Sequence, residues 1–435
     1  MKGTEDLLPN ITYRWQYLEE TARILFDSYN FQEIRTPLFE SFDLFSRSVG
    51  ETTDIISKEM YDFYDKGNRH IALRPEGTAP VVRAYVEHKL FGPEHPHPLK
   101  VYYMGPMFRY ERPQAGRQRQ FHQIGVEVFG STNPATDAET IALAWDYLQE
   151  LEVENLTLYI NSLGTSEDRK AYREALVNYF TPLKDQLSSE SQQRLEDNPL
   201  RILDSKNPKD QSLVDEAPKI LDYINENSRE HFETVQKLLT ALDIPYTVNP
   251  LIVRGLDYYQ DTIFEIMVQD KGIGAQSTVC GGGRYDGLVE SLGGPATPGF
   301  GFGLGMERLL LLLEKEEIEI PAPEGLDVFV IGLGEKTNEM TLRLVQAARQ
   351  DGLIADRDFL NRSLKSQFKT ASRQHAKITI IVGEDEINKG KVNIKNQQTS
   401  KERTVNIADL LENFLFEFQK STTDTSVIDN FFKGE

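Results

Sequence analysis

A pair of strands joined by a polar loop constrains the fold of this chain more than any other stretch. Residues 101–112 and 120–129 have the pattern of two strands, and the loop between them, 113–119, is rich in arginine, glutamine and glycine. This arrangement is typical of an antiparallel hairpin. We therefore predict that the chain is built around an antiparallel sheet.

The predicted hairpin carries polar residues where an ordinary sheet is apolar. Side chains alternate between the two faces of a strand, which places Arg109 and Glu111 on one face of the first strand. The second strand aligns four residues on one face: Phe121, Gln123, Gly125 and Glu127. Since a half-buried sheet normally has an apolar face, we interpret this surface as a binding site.

A second polar cluster precedes another predicted strand, residues 262–266. Arg254, Asp257, Tyr258 and Tyr259 lie where the chain enters that strand. A guanidinium and two phenol hydroxyls at this position can bind an anion and orient a small polar ligand. Aromatic residues beside a strand are equally often part of the core, so these residues alone leave both interpretations open.

Three more segments combine polar residues or glycines with predicted helices and strands. Glu76 and Thr78 come just before a helix, where they can face a ligand ammonium, although Thr78 can also act as the helix N-cap. The run 281–283 is three glycines, but no Gly-Lys-Ser/Thr follows it, which excludes a phosphate loop. Arg308 opens an apolar helix around 309–313, and a charged residue there needs a partner.

Composition narrows the class of protein. A chain of 435 residues predicts two or three domains. The single cysteine, Cys280, excludes a disulfide framework and a cysteine zinc site within one chain. No signal segment or membrane span is visible, which predicts a cytoplasmic protein. A net charge of −20 argues against RNA binding, yet basic residues cluster within 107–121 and 357–377. These clusters are either RNA contacts or solvated faces.

The domain boundaries follow from composition and periodicity. The segment 321–325 is rich in proline and predicts a linker. We predict a first domain at 1–325 with a mostly helical insertion at about 167–243, and a second domain at 326–420. Strands alternating with helices make that second domain α/β. Residues 421–435 are expected to form a mobile tail.

Taken together, these segments resemble the histidyl-tRNA synthetases, a family of class II aminoacyl-tRNA synthetases. Residues 254–259 and 279–288 are similar to the two family-specific segments. The hairpin, the helix and strand that end at Pro37, and the glycine-rich strand before Arg308 resemble the three motifs of the whole class. The resemblance implies an α+β catalytic domain with an antiparallel sheet flanked by helices, a helical insertion, a C-terminal α/β anticodon-binding domain, and a homodimer.

The resemblance also implies an activity and residue roles. The chain would activate L-histidine with ATP to histidyl-adenylate, release pyrophosphate, and transfer histidine to the 3′ end of tRNA(His). The implied catalytic residues are Arg254 and Arg109. The implied histidine-binding residues are Glu76, Thr78, Arg109, Gln123, Glu127, Arg254, Tyr258, Tyr259 and Tyr285. The implied ATP-binding residues are Arg109, Glu111, Arg117, Phe121 and Arg308, with Arg112 and Gln114 at the tRNA acceptor end. Mg²⁺ would accompany ATP, and no protein-bound metal such as zinc is expected.

Two alternatives share parts of this pattern. One is a non-catalytic, synthetase-like regulatory subunit of ATP phosphoribosyltransferase in histidine biosynthesis. That class usually lacks the C-terminal domain and the ATP-binding arginines, whereas Arg109, Arg308 and the region from 326 onward are present here. The other is a class II synthetase for a different amino acid, which the two family-specific segments disfavour.

Overall fold

The structure of the chain, a computed structural model, describes residues 1–49, 53, 55–253, 258–268 and 278–423. The chain divides into two compact units, Met1–Pro321 and Ala322–Glu435. The first is α+β and the second is α/β, as the sequence predicts. Within the described residues, no helix has the length and apolar character that crossing a membrane requires.

The first unit is built on a large, mainly antiparallel sheet. The strands of this unit, in both of its sheets, are β1 (Gln32–Glu33), β2 (Phe39–Ser41), β3 (Tyr61–Tyr64), β4 (His70–Leu73), β5 (Leu99–Phe108), β6 (Gln120–Phe129), β7 (Leu156–Ser162), β8 (Tyr246–Val248), β9 (Gln260–Val268), β10 (Thr278–Arg284) and β11 (Gly299–Gly305). Among the described residues, eight strands pair in the order β1-β5-β6-β11-β10-β9-β7-β8, and only the outermost pair at each end is parallel. The strands β2, β4 and β3 form a separate small sheet.

Helices cover one face of the large sheet. The helices of this unit are α1 (Thr12–Ser28), α2 (Phe42–Val49), α3 (Thr78–Glu87), α4 (Pro134–Glu150), α5 (Ser166–Phe180), α6 (Ser189–Asp197), α7 (Pro208–Val214), α8 (Glu226–Ala241), α9 (Leu288–Ser291) and α10 (Met306–Lys315). Alternation along β6 sends Ile124, Val126 and Val128 into the core formed with α1, α4, α8 and α10. The intervening residues of β6 therefore face the opposite side of the sheet.

The helices of the predicted insertion divide between two cores. Helices α5 to α7 enclose a small core of their own, which contains Tyr172, Phe180 and Leu195. Helix α8 instead buries Phe232 and Val235 in the main core. The insertion thus packs against the large sheet through its last helix.

The second unit has one mixed sheet with helices packed against it. Its strands are β12 (Val328–Gly332), β13 (Ala355–Arg357), β14 (Ile378–Val382), β15 (Lys391–Asn396) and β16 (Glu402–Asn406). Its helices are α11 (Asn338–Gln350), α12 (Leu364–Arg373), α13 (Glu384–Lys389), α14 (Ile407–Glu412) and α15 (Phe414–Thr422). The described strands pair in the order β13-β12-β14-β15-β16, parallel among the first three and antiparallel beyond.

Candidate active site

Most of the predicted site residues meet in one cavity. It has a volume of about 630 Å³ and is lined by the face of the large sheet opposite the helical core. The predicted residues that line it are Glu76, Thr78, Arg109, Glu111, Arg117, Phe121, Gln123, Tyr258, Tyr259 and Arg308. Arg112 and Gln114 are exposed on the loop of the β5–β6 hairpin. Arg254 lies outside the described residues.

Arg109 follows the end of β5 and is held at the cavity wall. The prediction that Arg109 and Glu111 lie on the strand itself is wrong, because β5 ends at Phe108. The N–H of Glu111 bonds to the carbonyl of Arg109 at 2.8 Å, which turns the chain out of the strand. The Nε of Arg109 donates to the Pro75 carbonyl at 2.8 Å, and its guanidinium lies 5.2 Å from the ring centre of Phe121. The guanidinium group of Arg109 is therefore oriented by its contacts with Pro75 and Phe121.

Three guanidinium groups gather at this end of the cavity around one carboxylate. Glu111 lies 3.9 Å from Nη1 of Arg109 and 3.3 Å from Nη1 of Arg117. Arg308 donates from Nη1 to the Thr278 carbonyl at 3.0 Å. Burial lowers the pKa of Arg308, and the nearby charges of Arg117 and Arg109 lower it further. Cations that repel one another in a buried site attract a polyanion, so this end of the cavity suits a phosphate chain.

A buried carboxyl group lies behind the cavity wall formed by Thr78 and Tyr103, and the predicted residues Glu127 and Tyr285 are not themselves part of the lining. Glu127 is 1% exposed, and its Oε1 accepts from the Thr78 hydroxyl at 2.7 Å. Its Oε2 accepts from the Tyr285 hydroxyl. Burial raises the pKa of Glu127 to about 8, although the hydrogen bonds from Tyr285 and Thr78 oppose the shift. A buried carboxyl group can donate to a polar ring nitrogen when protonated and accept from one when ionised.

Comparison with known proteins identifies the family. Residues 3–309 match the family described as Histidyl-tRNA synthetase, and residues 327–416 match the one described as Anticodon binding domain. The chain belongs to the histidyl-tRNA synthetase family. The first match contains the predicted residues that line the cavity, and also Glu127 and Tyr285.

Individual members of the family are similar along nearly the whole chain. The histidine–tRNA ligase of Limosilactobacillus fermentum is 57% identical over 414 residues, which are 95% of this chain and 96% of the relative. That of Streptococcus pyogenes is 56% identical over 413 residues, with 95% and 96% covered. The apo histidyl-tRNA synthetase of S. aureus has a TM-score of 0.81 at 44% identity and covers 95% of this chain and 98% of its own. The predicted family and fold class are confirmed.

Glu76, rather than Thr78, caps helix α3. Its carboxylate accepts from the N–H of Thr78 at 2.7 Å and from that of Ala79 at 2.8 Å. These are two of the N–H groups that a helix start leaves without partners. The hydroxyl of Thr78 is thereby available to donate to Glu127. The capping alternative for Thr78 is wrong, and Thr78 connects the start of α3 to Glu127.

Tyr103 is a site residue that the sequence did not reveal. Its hydroxyl lies 3.5 Å from Oε1 of Glu127, and the residue lines the cavity. A Cβ on Gly77 would lie 2.1 Å from the Tyr103 ring, and one on Gly125 would lie 2.4 Å from it. Gly125 is the direct partner of Tyr103 across the hairpin. A tyrosine opposite a glycine in a predicted hairpin is the signal that could have identified this residue.

Glycines on the neighbouring strands shape the same region of the synthetase fold. A Cβ on Gly301 would lie 2.0 Å from Oε2 of Glu127, so this glycine provides the space for that carboxylate. Gly282 and Gly283 lie against the backbone of the neighbouring strands instead. Their added Cβ atoms would meet the carbonyls of Gly301 at 2.0 Å and Thr262 at 2.7 Å. These two glycines permit close packing of β9, β10 and β11.

Residues of the helical insertion also reach the cavity, which the sequence did not predict. The additional residues that line it from this region are Arg201, Leu203, Asp204 and Lys206. Lys206 and Asp204 form an exposed ion pair with a separation of 3.0 Å. The site is thus bounded by the hairpin on one side and by the insertion on another.

Proposed function

We propose that this chain acts as a histidine–tRNA ligase whose two substrates, histidine and ATP, occupy the one cavity. The observation that carries the proposal is the division of that cavity. Three guanidinium groups line one part of it, and Thr78 and Tyr103, which line another part, connect it to the buried carboxyl group of Glu127. A polyanion and an imidazole-bearing amino acid fit these two parts. The proposed activity belongs in the cytoplasm, where tRNA is charged.

Histidine is proposed to bind through its ring and its ammonium group. A neutral imidazole has one donor and one acceptor, which Glu127 and Tyr259 can satisfy. Tyr258 and Tyr285 would wall the ring, since Tyr258 lies 4.6 Å from Tyr259 and 5.7 Å from Tyr285 between ring centres. The ammonium group would bind near Glu76, Thr78 and Gln123. A pocket of this kind rejects apolar amino acids by roughly 10⁴-fold, because its polar groups would be left without partners.

ATP is proposed to bind at the arginine end. Phe121 would stack on adenine and Glu111 would accept from its amino group, while Arg308 and Arg117 would bind the outer phosphates. Arg109 would bind the α-phosphate that the histidine carboxylate attacks. Bringing two anions together requires neutralisation and alignment rather than a protein nucleophile. The proposed second clamp, Arg254, lies outside the described residues, and its role stays a prediction.

Mg²⁺ is proposed to enter with the phosphates of ATP. Among the described residues, no group of three or more His, Cys, Asp or Glu side chains could hold a metal ion by itself. Glu265 lines the cavity and can supply a carboxylate oxygen, the ligand type that Mg²⁺ prefers. The ion would offset phosphate charge while the arginines hold the phosphates in place.

The test of the proposed function is ATP–pyrophosphate exchange with each of the twenty amino acids in turn. Exchange with histidine alone supports the proposal. Exchange with another amino acid would identify a different synthetase. No exchange at all, together with tight histidine binding, would favour the non-catalytic regulatory subunit, against which the clustered Arg109, Arg117 and Arg308 argue.

The KM for histidine is expected to depend on the protonation of Glu127. With a pKa of about 8, the group is mostly protonated at pH 7 and gains its full acceptor capacity as the pH rises. Between pH 7 and pH 8 the ionised fraction grows about fivefold, so the KM for histidine should fall by about that factor. Steady-state exchange at fixed ATP measures it. A Glu127→Gln variant should show a much flatter profile, and an equal slope in both proteins would contradict the assignment.

tRNA is proposed to contact both units. The exposed Arg112 and Gln114 would meet the acceptor end. In the second unit, Phe359 is 63% exposed, and the Arg357 guanidinium lies 5.3 Å from its ring centre. Together with Asn338, these residues line a cavity of about 390 Å³. An exposed ring beside a cation and an amide suits an unpaired nucleotide base.

Phe359→Ala is expected to weaken tRNA binding without changing amino-acid activation. Loss of one base stack costs roughly 1–3 kcal/mol, so the KM for tRNA should rise by about tenfold. Aminoacylation with varied tRNA measures this, and exchange without tRNA should be unchanged. Phe416→Ala, at another exposed ring of the same unit, is the matched control. An equal effect of both variants would remove Phe359 from the proposed contact.

A homodimer is also proposed. On and beside the small sheet, Leu38, Phe39, Phe63 and Tyr64 are between 43% and 63% exposed. Phe39 and Phe63 lie on the same face of that sheet, opposite Leu73 and Ile71 of β4. Exposed apolar side chains on one face are typical of an interface, and a second copy of the chain would cover them. Light scattering is expected to give the mass of two chains, and Phe39→Asp is expected to reduce it toward one. Leu242→Asp, also at an exposed site, should leave the mass unchanged.

A further inference from the structure

A buried ion cluster lies beside the pocket wall, outside the cavity. Arg284, at the end of β10, is 2% exposed, and Asp137 on α4 is fully buried. The Nη2 of Arg284 donates to Oδ1 of Asp137. Its Nη1 donates to the Ser131 carbonyl at 3.0 Å and to Oδ1 of Asp286 at 3.2 Å. The guanidinium is therefore fixed by three partners on three different segments.

Helix α8 completes this cluster through a histidine. The Nε2 of His231 lies 2.7 Å from Oδ2 of Asp137. The other contact of that oxygen is Nε of Arg284 at 3.4 Å, which is long for a hydrogen bond. His231 is thus the close partner of one oxygen of a buried carboxylate. Removing it would leave that oxygen poorly satisfied, which is costly in a buried site.

The ion cluster is connected through the backbone to Tyr285 and Glu127 of the proposed histidine pocket. Oδ1 of Asp286 accepts from the N–H of Gly299 at 3.2 Å, and the N–H of Tyr285 donates to the Gly299 carbonyl at 2.9 Å. A Cβ on Gly299 would lie 2.3 Å from the Tyr285 ring, so the ring packs directly on this backbone. The hydroxyl of Tyr285 then donates to Glu127. Arg284 and Tyr285 are consecutive residues, so a shift of one moves the other.

We propose that His231 is a positioning residue for the histidine pocket: through Asp137 and Arg284 it fixes the Tyr285 hydroxyl against Glu127. This proposal rests on the proposed function, because it assumes that Glu127 binds the substrate ring. Without the His231 contact, Asp137 would draw Arg284 toward its unsatisfied oxygen and displace Tyr285. The effect should fall on histidine binding, since none of these residues contacts the arginine end of the cavity.

The test compares His231→Ala with His231→Gln in the full chain by ATP–pyrophosphate exchange. The alanine variant is expected to raise the KM for histidine by about fivefold, the scale of coupling within one polar network. The KM for ATP should stay within about twofold. The glutamine amide can reach the position of Nε2 and should restore most of the affinity. Glu233→Ala, on the exposed side of the same helix, is the matched control.

A double-mutant cycle with Tyr285→Phe separates positioning from general destabilisation. If His231 acts through the Tyr285 hydroxyl, the double variant should have the histidine KM of Tyr285→Phe alone. Additive effects, an unchanged histidine KM, or equal rises in both KM values would overturn the proposal. Thermal unfolding of each variant shows whether it is folded. If the unmodified chain shows no histidine-dependent exchange, the proposed function fails instead, whatever the variants do.

Discussion

Arg109→Ala is expected to lower histidine-dependent ATP–pyrophosphate exchange by roughly 10²–10³-fold, the cost of removing one preorganised group from a developing charge. The side chain is half-buried, and the Pro75 carbonyl and the Phe121 ring orient it toward the cavity. In the proposed reaction the histidine carboxylate attacks the α-phosphate of ATP, and Arg109 is proposed to bind that phosphate. The loss should appear mainly in kcat.

The controls for this prediction separate charge from geometry. Arg109→Lys keeps the positive charge but not the planar fork, so it should recover only part of the activity. Arg173→Ala, at an exposed arginine of α5, should exchange at the rate of the unmodified chain. Near-normal exchange in Arg109→Ala, with the protein folded, would remove Arg109 from the reaction.

Above pH 8, where the carboxyl group is mostly ionised, Glu127→Gln is expected to raise the KM for histidine by about tenfold to a hundredfold, because a charge-assisted hydrogen bond contributes about 1.5–3 kcal/mol. The substitution keeps the shape of a side chain that Gly301 accommodates closely, so the fold should survive. The kcat at saturating histidine and the KM for ATP should change little. Exchange with varied histidine measures the effect.

A surface carboxylate provides the control for Glu127. Glu150 lies exposed at the end of α4, and Glu150→Gln should leave every kinetic constant unchanged. An unchanged histidine KM in Glu127→Gln would exclude Glu127 from the binding of the ring. An equal rise in the KM for ATP would indicate a distorted cavity rather than a lost contact.

Alternation along one strand was the most reliable part of the sequence pattern. Gln123 and Glu127 both lie in β6 at even spacing and so share a face, as predicted, because strand geometry fixes the direction of every second side chain. The same reasoning was wrong for Arg109 and Glu111, since the strand ends one residue before Arg109. Strand ends depend on turns and prolines near them, and periodicity does not reveal those.

Contacts between distant segments could not be predicted from the sequence. The predicted hairpin places Tyr103 opposite Gly125, but it does not show that Gly77, from another segment, leaves room for the same ring. Arg284 lies in the segment 279–288, which is similar to a family-specific segment, but its partner Asp137 lies 147 positions away in the sequence. A helix that reads as part of a polar insertion, α8, supplies His231 to the same cluster. Tertiary packing decides such pairings.

The most direct measurement is a crystal structure of the chain with ATP and histidinol, which lacks the reactive carboxylate and therefore stops before adenylate formation. We expect an imidazole nitrogen about 3 Å from the Glu127 carboxylate. We also expect the phosphates to lie among Arg109, Arg117 and Arg308. An imidazole bound away from Glu127, or phosphates bound away from the three arginines, would contradict it.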